Sequence, residues 1–207
     1  MYWIPHPTVL EGFGLRLEPL VSSHIPELVR VGKDPQIWNY LPTRGAEKGV
    51  LETELRSAIL KRSTGEQYPF TVISHGSIVG STRFFDMHPD HKKLEIGATW
   101  YTPTAWGSGV NAACKFLLLQ FCFESLAVQR VQLKTRDVNL RSQAAIRKLG
   151  AVQEGILRKD RILPTGETRD TVVFSILDEE WPVVKGGLLE RISGIRAADA
   201  EASVSMS

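Results

Sequence analysis

The longest helical pattern in the chain begins at Val110. Val110, Ala113, Cys114, Leu117, Leu118, Phe121 and Cys122 recur at the three- and four-residue spacing of one helix face. Phe116, Leu119 and Phe123 widen the stripe, so this helix is expected to be covered on more than one side. A weaker helical stripe, Val50, Leu51, Leu55 and Ile59, predicts a helix from Glu47 to Arg62. Ile25, Leu28 and Val29 predict another, opened by Ser22 or Ser23 and stopped near Gly32. A short helix from Asn139 or Leu140 should end at Leu149, before Gly150.

Strands show the two-residue period. Leu15 and Leu17 alternate with Arg16 and Glu18 in a first strand. Three more are predicted at Phe70 to Ser74, Ile78 to Asp86 and Leu94 to Tyr101, separated by a His75-Gly76 turn and the loop 88–91. A further strand runs from Arg130 to Arg136. Val152 to Arg161 and Arg169 to Leu177 form a hairpin around Pro164-Thr165-Gly166. Consecutive strands with short turns pair antiparallel, whereas the helix after Tyr101 makes the next strand a parallel neighbour. The expected fold is a mixed α/β (α+β) sheet of about seven strands, mostly antiparallel and flanked by helices. Residues 1–181 should form one domain closed by Trp181-Pro182. Residues 182–207 should be an extension, helical around Val183, Val184, Leu188 and Leu189 and disordered from residue 194.

Composition adds limits. The chain has 207 residues, 43% hydrophobic and 23% charged, with net charge +2. That charge is too small to argue for DNA or an anionic membrane. The basic strand Arg130, Gln132, Lys134, Arg136 is the one stretch that suggests nucleic-acid contact. Cys114 and Cys122 lie on one helix about 12 Å apart, too far for a disulfide. Core thiols of a reduced, cytoplasmic protein are expected. No apolar run approaches a membrane span. The histidines show no metal-ligand spacing, so no metal is expected.

Chemistry concentrates before Val110. Gly107 and Gly109 form a turn that opens the long helix. A helix N-terminus offers unpaired N–H groups and a partial positive charge, which suits phosphate. A plain glycine turn before a core helix fits the same residues.

The order of elements, with Trp106-Gly107-Ser108-Gly109-Val110-Asn111 opening a helix, resembles the GNAT N-acetyltransferases. The closer resemblance is to the RimJ/RimL branch, which acetylates ribosomal-protein N-termini. Arg16-Leu17-Glu18-Pro19-Leu20, Leu94-Glu95-Ile96-Gly97, Asn139-Leu140-Arg141-Ser142, Lys148-Leu149-Gly150-Ala151 and Glu154-Gly155 with Arg158 carry it, over roughly residues 10–181. The family loop reads Q/R-x-x-G-x-G/A. Here Trp106 and Asn111 stand at its ends.

The resemblance implies acetyl-CoA as cosubstrate and a primary amine as acceptor, either a protein N-terminus or a small amine. Trp106, Gly107, Ser108, Gly109, Val110 and Asn111 would hold the pyrophosphate. The pantetheine arm would lie between strands ending near Trp100-Tyr101 and Thr135, with Asn139 bonding it or capping its helix. Glu95, eleven residues before Trp106, matches the register of a catalytic glutamate. Strict alternation places it on one face with Gly97, Thr99 and Tyr101. Asp160 and Glu154 are rival bases. Ser142 matches a serine that protonates the leaving thiolate, with Tyr101 and Tyr40 as alternatives. Lys115, Arg147 and Lys148 could reach the adenosine 3′-phosphate. Trp38, Tyr40, Arg44, Arg83 and Phe85 are candidates for the acceptor site, and a homodimer is compatible with this reading. The alternative is a non-catalytic acyl-CoA-binding module, which Asn111 favours.

Overall fold

A computed structural model describes residues 3–163 and 165–204, with side chains to residue 195. Eight strands form one sheet in the order β1-β2-β3-β4-β5-β6-β8-β7. They span Leu10–Gly12 (β1), Leu15–Pro19 (β2), Gln67–Ser74 (β3), Ser77–His88 (β4), Lys93–Tyr101 (β5), Arg130–Arg136 (β6), Val152–Ile162 (β7) and Thr168–Leu177 (β8). All neighbours are antiparallel except β5 and β6. The strand beyond the expected seven is β1. Three residues are too few to show alternation, and β1 is held by its register on β2, Leu10 opposite Leu17.

The helices are Ile25–Val31 (α1), Val50–Ser63 (α2), Val110–Gln120 (α3), Leu140–Arg147 (α4) and Trp181–Val204 (α5). They split between the two faces of the sheet. One core joins β-strand residues Leu17, Phe70, Phe84, Ile96 and Phe174 to α3, and to Trp181, Leu188 and Ile192 of α5. The other joins α1, α2 and the turn Pro35–Trp38 to Trp100. The side chains of α3 from Ala112 to Leu119 are all buried, as expected for a helix covered on several sides. Its last turn widens to a π-helix, Phe121–Ser125. Both cysteines are buried and free.

Two boundaries differ from expectation. Gly49, at φ +78°, starts α2 three residues later than the apolar pattern suggested. Trp181-Pro182, expected to close the domain ahead of a helical extension, itself opens the helix α5. Proline suits a helix's first turn, where its missing N–H is not needed. This helix continues through residue 194, where disorder was expected, to Val204. Pro164 of the hairpin turn and residues 205–207 of the tail lie outside the described residues. Among the described residues no helix is long and apolar enough to cross a membrane.

Candidate active site

The site begins with a fault in β5. Gly97 lies opposite Arg83 and Trp100 opposite Ser81, so Ala98 and Thr99 together face Thr82. Ala98 takes φ +45°. This is a β-bulge, and it reverses the alternation beyond it. Before it, Leu94 and Ile96 point to the α3 core. After it, Tyr101 does, while Trp100 joins the α1/α2 core. Strict alternation is therefore corrected: Thr99 and Tyr101 face α3, and Glu95 lies on the opposite face.

The bulge coincides with a parting of strands. The β5–β6 ladder pairs Lys93 with Arg130, Leu94 with Val131 and Glu95 with Gln132, and goes no further. A cavity of about 670 Å³ occupies the opening. Glu95 stands where the ladder stops, only 4% exposed. Its Oε2 accepts from Gln132 Nε2 at 3.2 Å and pairs with Lys134 Nζ at 2.9 Å. Burial raises its pKa above the usual carboxylate value, against the pull of Lys134 and Gln132. Such a group is a stronger base than a solvated glutamate.

The opposite wall holds Lys115, which we expected at the phosphates. It is instead buried within α3, 5% exposed, and donates to Thr99 Oγ1 at 2.9 Å. Thr99 in turn shares a hydrogen bond with Thr82 at 2.7 Å. Burial lowers the Lys115 pKa to about 8. Tyr101 is buried on this wall against the Cys114 thiol, and burial pushes its phenol well above the ordinary value. It therefore stays protonated and can act as a donor.

At one end of the cavity is the loop before α3. Gly107 and Gly109 both take φ +80°, a region that favours glycine. A side chain on Gly109 would also meet Ile195 of α5 at 3.1 Å. The loop is braced from below: Trp106 Nε1 donates to the Tyr101 carbonyl at 3.1 Å, and Ser108 Oγ to the Ala105 carbonyl at 2.8 Å. The Arg141 guanidinium lies 4.4 Å from the Trp106 ring centroid. Arg191 of α5, which sequence reasoning missed, lines the same cavity, and its buried Nη1 has no hydrogen-bond partner among the described residues. Open backbone, a helix N-terminus and a spare guanidinium donor fit a pyrophosphate.

The other expected residues divide. Trp100, Tyr101, Trp106, Gly107, Gly109, Asn111, Asn139 and Ser142 line the cavity; Ser108 and Val110 belong to the loop but not to the wall. Asn139 caps α4, its Oδ1 accepting from the Ser142 N–H at 3.0 Å. That leaves its amide donors for the cavity. Trp38, Tyr40, Arg83 and Phe85 also line the wall. Arg83 is buried, pairs with Glu54 at 2.7 Å and donates to Gln67 at 2.8 Å. Arg44 lines a neighbouring hollow instead and pairs with Glu47 at 3.4 Å. Asp160 lies off the cavity wall beside Arg161, at 3.7 Å. Glu154 is ion-paired with Arg130, which lowers its pKa and suits it poorly as a base. Lys134 and Gln132 contact Glu95, and Arg130 contacts Glu154, so all of the basic strand but Arg136 is occupied within the sheet. Its period-two pattern, laid beside the parallel strand, was the signal for the Glu95 neighbours. Among the described residues no three potential metal ligands converge.

Residues 14–152 match the family described as the acetyltransferase (GNAT) domain. This chain belongs to the GNAT acetyltransferase family. YdaF of Bacillus subtilis (strain 168), which carries a provisional ribosomal N-acetyltransferase name, is 32% identical over 107 residues. That match covers 51% of this chain and 57% of YdaF, so the chain spans little more than half the length of this curated relative. A provisionally named acetyltransferase structure from T. thermophilus is 37% identical, with a TM-score of 0.81. The match covers 91% of this chain and 98% of that one. RimJ of Mycobacterium smegmatis, solved with CoA-disulfide, shares the fold at 20% identity and a TM-score of 0.77, covering 90% of this chain and 95% of that chain.

Proposed function

We propose that the protein is an N-acetyltransferase that moves the acetyl group of acetyl-CoA to a primary amine, in the manner suggested by its RimJ- and YdaF-like relatives. The observation that carries this reading is the buried carboxylate of Glu95 at the point where β5 and β6 part. The strands part there instead of pairing on, which leaves room for a ligand, and a carboxylate held out of water beside that opening is a stronger base than a solvated one.

The residues divide the labour. The Trp106–Asn111 loop, with Arg191 and Arg141, holds the phosphates of the cosubstrate. Glu95 accepts a proton from the acceptor amine, directly or through water, as its nitrogen bonds to the acyl carbon. The carbon–sulfur bond breaks, and the thiolate takes a hydrogen bond or proton from Tyr101 or Ser142. Lys134 and Gln132 keep the Glu95 carboxylate aimed into the gap. Asn111 adds an amide to the loop where relatives carry a small residue.

Mass spectrometry of a panel of amines incubated with acetyl-CoA tests the reading. Wild-type protein should acetylate at least one amine, Glu95→Gln should lose most of that turnover, and Ser142→Ala should lose less. Binding of CoA without turnover on any acceptor would instead support a non-catalytic module. Failure to bind any acyl-CoA would sink both readings.

A further inference from the structure

The face of the sheet that carries Glu95 continues past it into a basic corner that the reaction does not use. On β6, Gln132 and Lys134 contact Glu95, and alternation puts Arg136 on the same face. Across the antiparallel ladder Arg136 lies opposite Thr171 of β8, and two residues along β8 Arg169 lies opposite Arg161 of β7. Residues opposite one another share a face. Arg136, Arg161, Arg169 and Thr171 therefore stand together, and all four line the same cavity as Glu95.

Three polar atoms in this corner are buried with no hydrogen-bond partner among the described residues: Arg136 Nε, Arg169 Nε and Thr171 Oγ1. Thr171 is only 1% exposed. Leaving a buried donor unmade costs about 1–3 kcal/mol, more for a charged group, so such a cluster implies an acceptor that completes it. The charge is also unbalanced. Asp160 sits beside Arg161 and Asp137 acts on Arg169, which leaves two carboxylates against three guanidinium groups. Burial, together with crowding by Arg161 and Arg136, lowers the Arg169 pKa below its ordinary value.

We infer that the acceptor carries a carboxylate a residue or more away from its amine, and that Arg136, Arg169 and Thr171 receive it. This rests on the acetyl-transfer reading, which places the amine at Glu95. Glu95 lies opposite Gln132 in the ladder, so Arg136 stands four residues further along β6, a rise of about 13 Å. The α-amine and α-carboxylate of a free amino acid are too close together to span that distance. An extended peptide advances about 3.3 Å per residue, so its amine reaches Glu95 while an Asp or Glu at its second or third position reaches the arginines. The acceptor is thus an acidic N-terminal peptide segment.

The test compares amidated peptides that begin Ser-Asp-Glu with matched Ser-Asn-Gln peptides, using the full chain and acetyl-CoA. We expect kcat/KM to be about 10- to 100-fold higher for the acidic peptide, the range that hydrogen bonds to charged groups supply. In Arg169→Gln that ratio should fall toward one. Arg136→Gln serves the same purpose if the first variant does not fold, which circular dichroism reports. Equal rates on both peptides would overturn the carboxylate pocket while leaving acetyl transfer intact. A preference for phosphoserine over Asp at the second position would overturn the carboxylate assignment, and a preference for free amino acids would overturn the peptide. If no peptide is acetylated, titration calorimetry with CoA present decides. Tighter binding of the acidic peptide, lost in Arg169→Gln, upholds the pocket and removes the transfer reading; equal or no binding removes the pocket.

Discussion

The two ends of the cavity are built differently. The end proposed for the phosphates is centred on one continuous loop, Trp106 to Asn111, whose backbone is held open by Gly107 and Gly109, with Arg191 beside it on the cavity wall. The end proposed for the reaction is assembled from side chains of separate elements: Glu95 on β5, Lys134 and Gln132 on β6, Arg83 on β4 and Lys115 on α3. A backbone site tolerates loss of its side chains and fails when its dihedral angles are disturbed. A side-chain site behaves in the opposite way, because removing one partner leaves buried polar groups unmatched.

The sharpest separation of the two ends comes from Glu95→Gln. The amide keeps the shape and can keep the Gln132 contact, but it cannot take a proton. The turnover number is expected to fall by about 10²–10⁴-fold. CoA affinity by calorimetry should stay near wild type, because the phosphates are held at the other end. The wild-type rate should also rise with pH through a pKa above the usual carboxylate value, since Glu95 acts only when ionised. The variant should lack that limb. A comparable loss of CoA affinity would break the division between the ends.

Lys115 sharpens the comparison through stability. Its pKa is about 8 in the folded protein against 10.5 for a free side chain. At pH 7 both states are protonated, and the folded one carries the whole penalty of a buried charge. Between pH 8 and 10.5 the unfolded state holds more protons, so wild-type stability rises with pH relative to a variant without the charge. Lys115→Met should therefore be more stable by roughly 2–3 kcal/mol at pH 7, by the conversion of a pKa shift less one lost hydrogen bond to Thr99. Urea denaturation at pH 7 and pH 10 should show that advantage shrinking at the higher pH. A variant less stable at both would mean that packing of Lys115, not its charge, dominates.

The same contrast explains what was legible in the sequence. The loop could be read because glycines at a helix start act locally, and the neighbouring residues in order were enough to place it. The strand directions could be read because turns and one crossover helix fix direction, whereas the insertion of β8 between β6 and β7 could not. The faces of β5 could not be read beyond Gly97. Nothing in Ala98-Thr99 announces a bulge, which is set by pairing with Thr82 from another strand. Once alternation reversed there, Thr99 met Lys115, and Glu95 was left facing Lys134. Asp160 was a fair rival by residue type and fell away because its hairpin position lies off the cavity wall. Arg191 was missed because the helical pattern was followed no further than Leu189, and nothing local showed that this helix lies against the cavity.

Gly109→Val probes the backbone end directly. The new side chain is branched at Cβ, must adopt φ +80° and meets Ile195. Strain of this kind costs about 1–3 kcal/mol. CoA affinity should drop about 5- to 100-fold while kcat at saturating acetyl-CoA changes less. Ser108→Ala, whose hydroxyl bonds only within the loop at Ala105, should leave affinity within a few-fold. If Ser108→Ala is the more damaging change, the phosphates are read by side chains and the contrast fails.

The smallest effect is expected where the two ends meet, at Asn139. Its carbonyl oxygen caps α4, and its amide donors face the cavity. Asn139→Ala should lower stability by about 1 kcal/mol through loss of the cap. Asn139→Asp retains the capping oxygen but not the donors, so it separates the two roles in one step. Near-wild-type melting with weaker CoA binding in the Asp variant would place the amide on the cofactor arm. Full recovery of both by Asp would reduce Asn139 to a helix cap, and the cosubstrate would then be gripped from the β5 side of the gap alone.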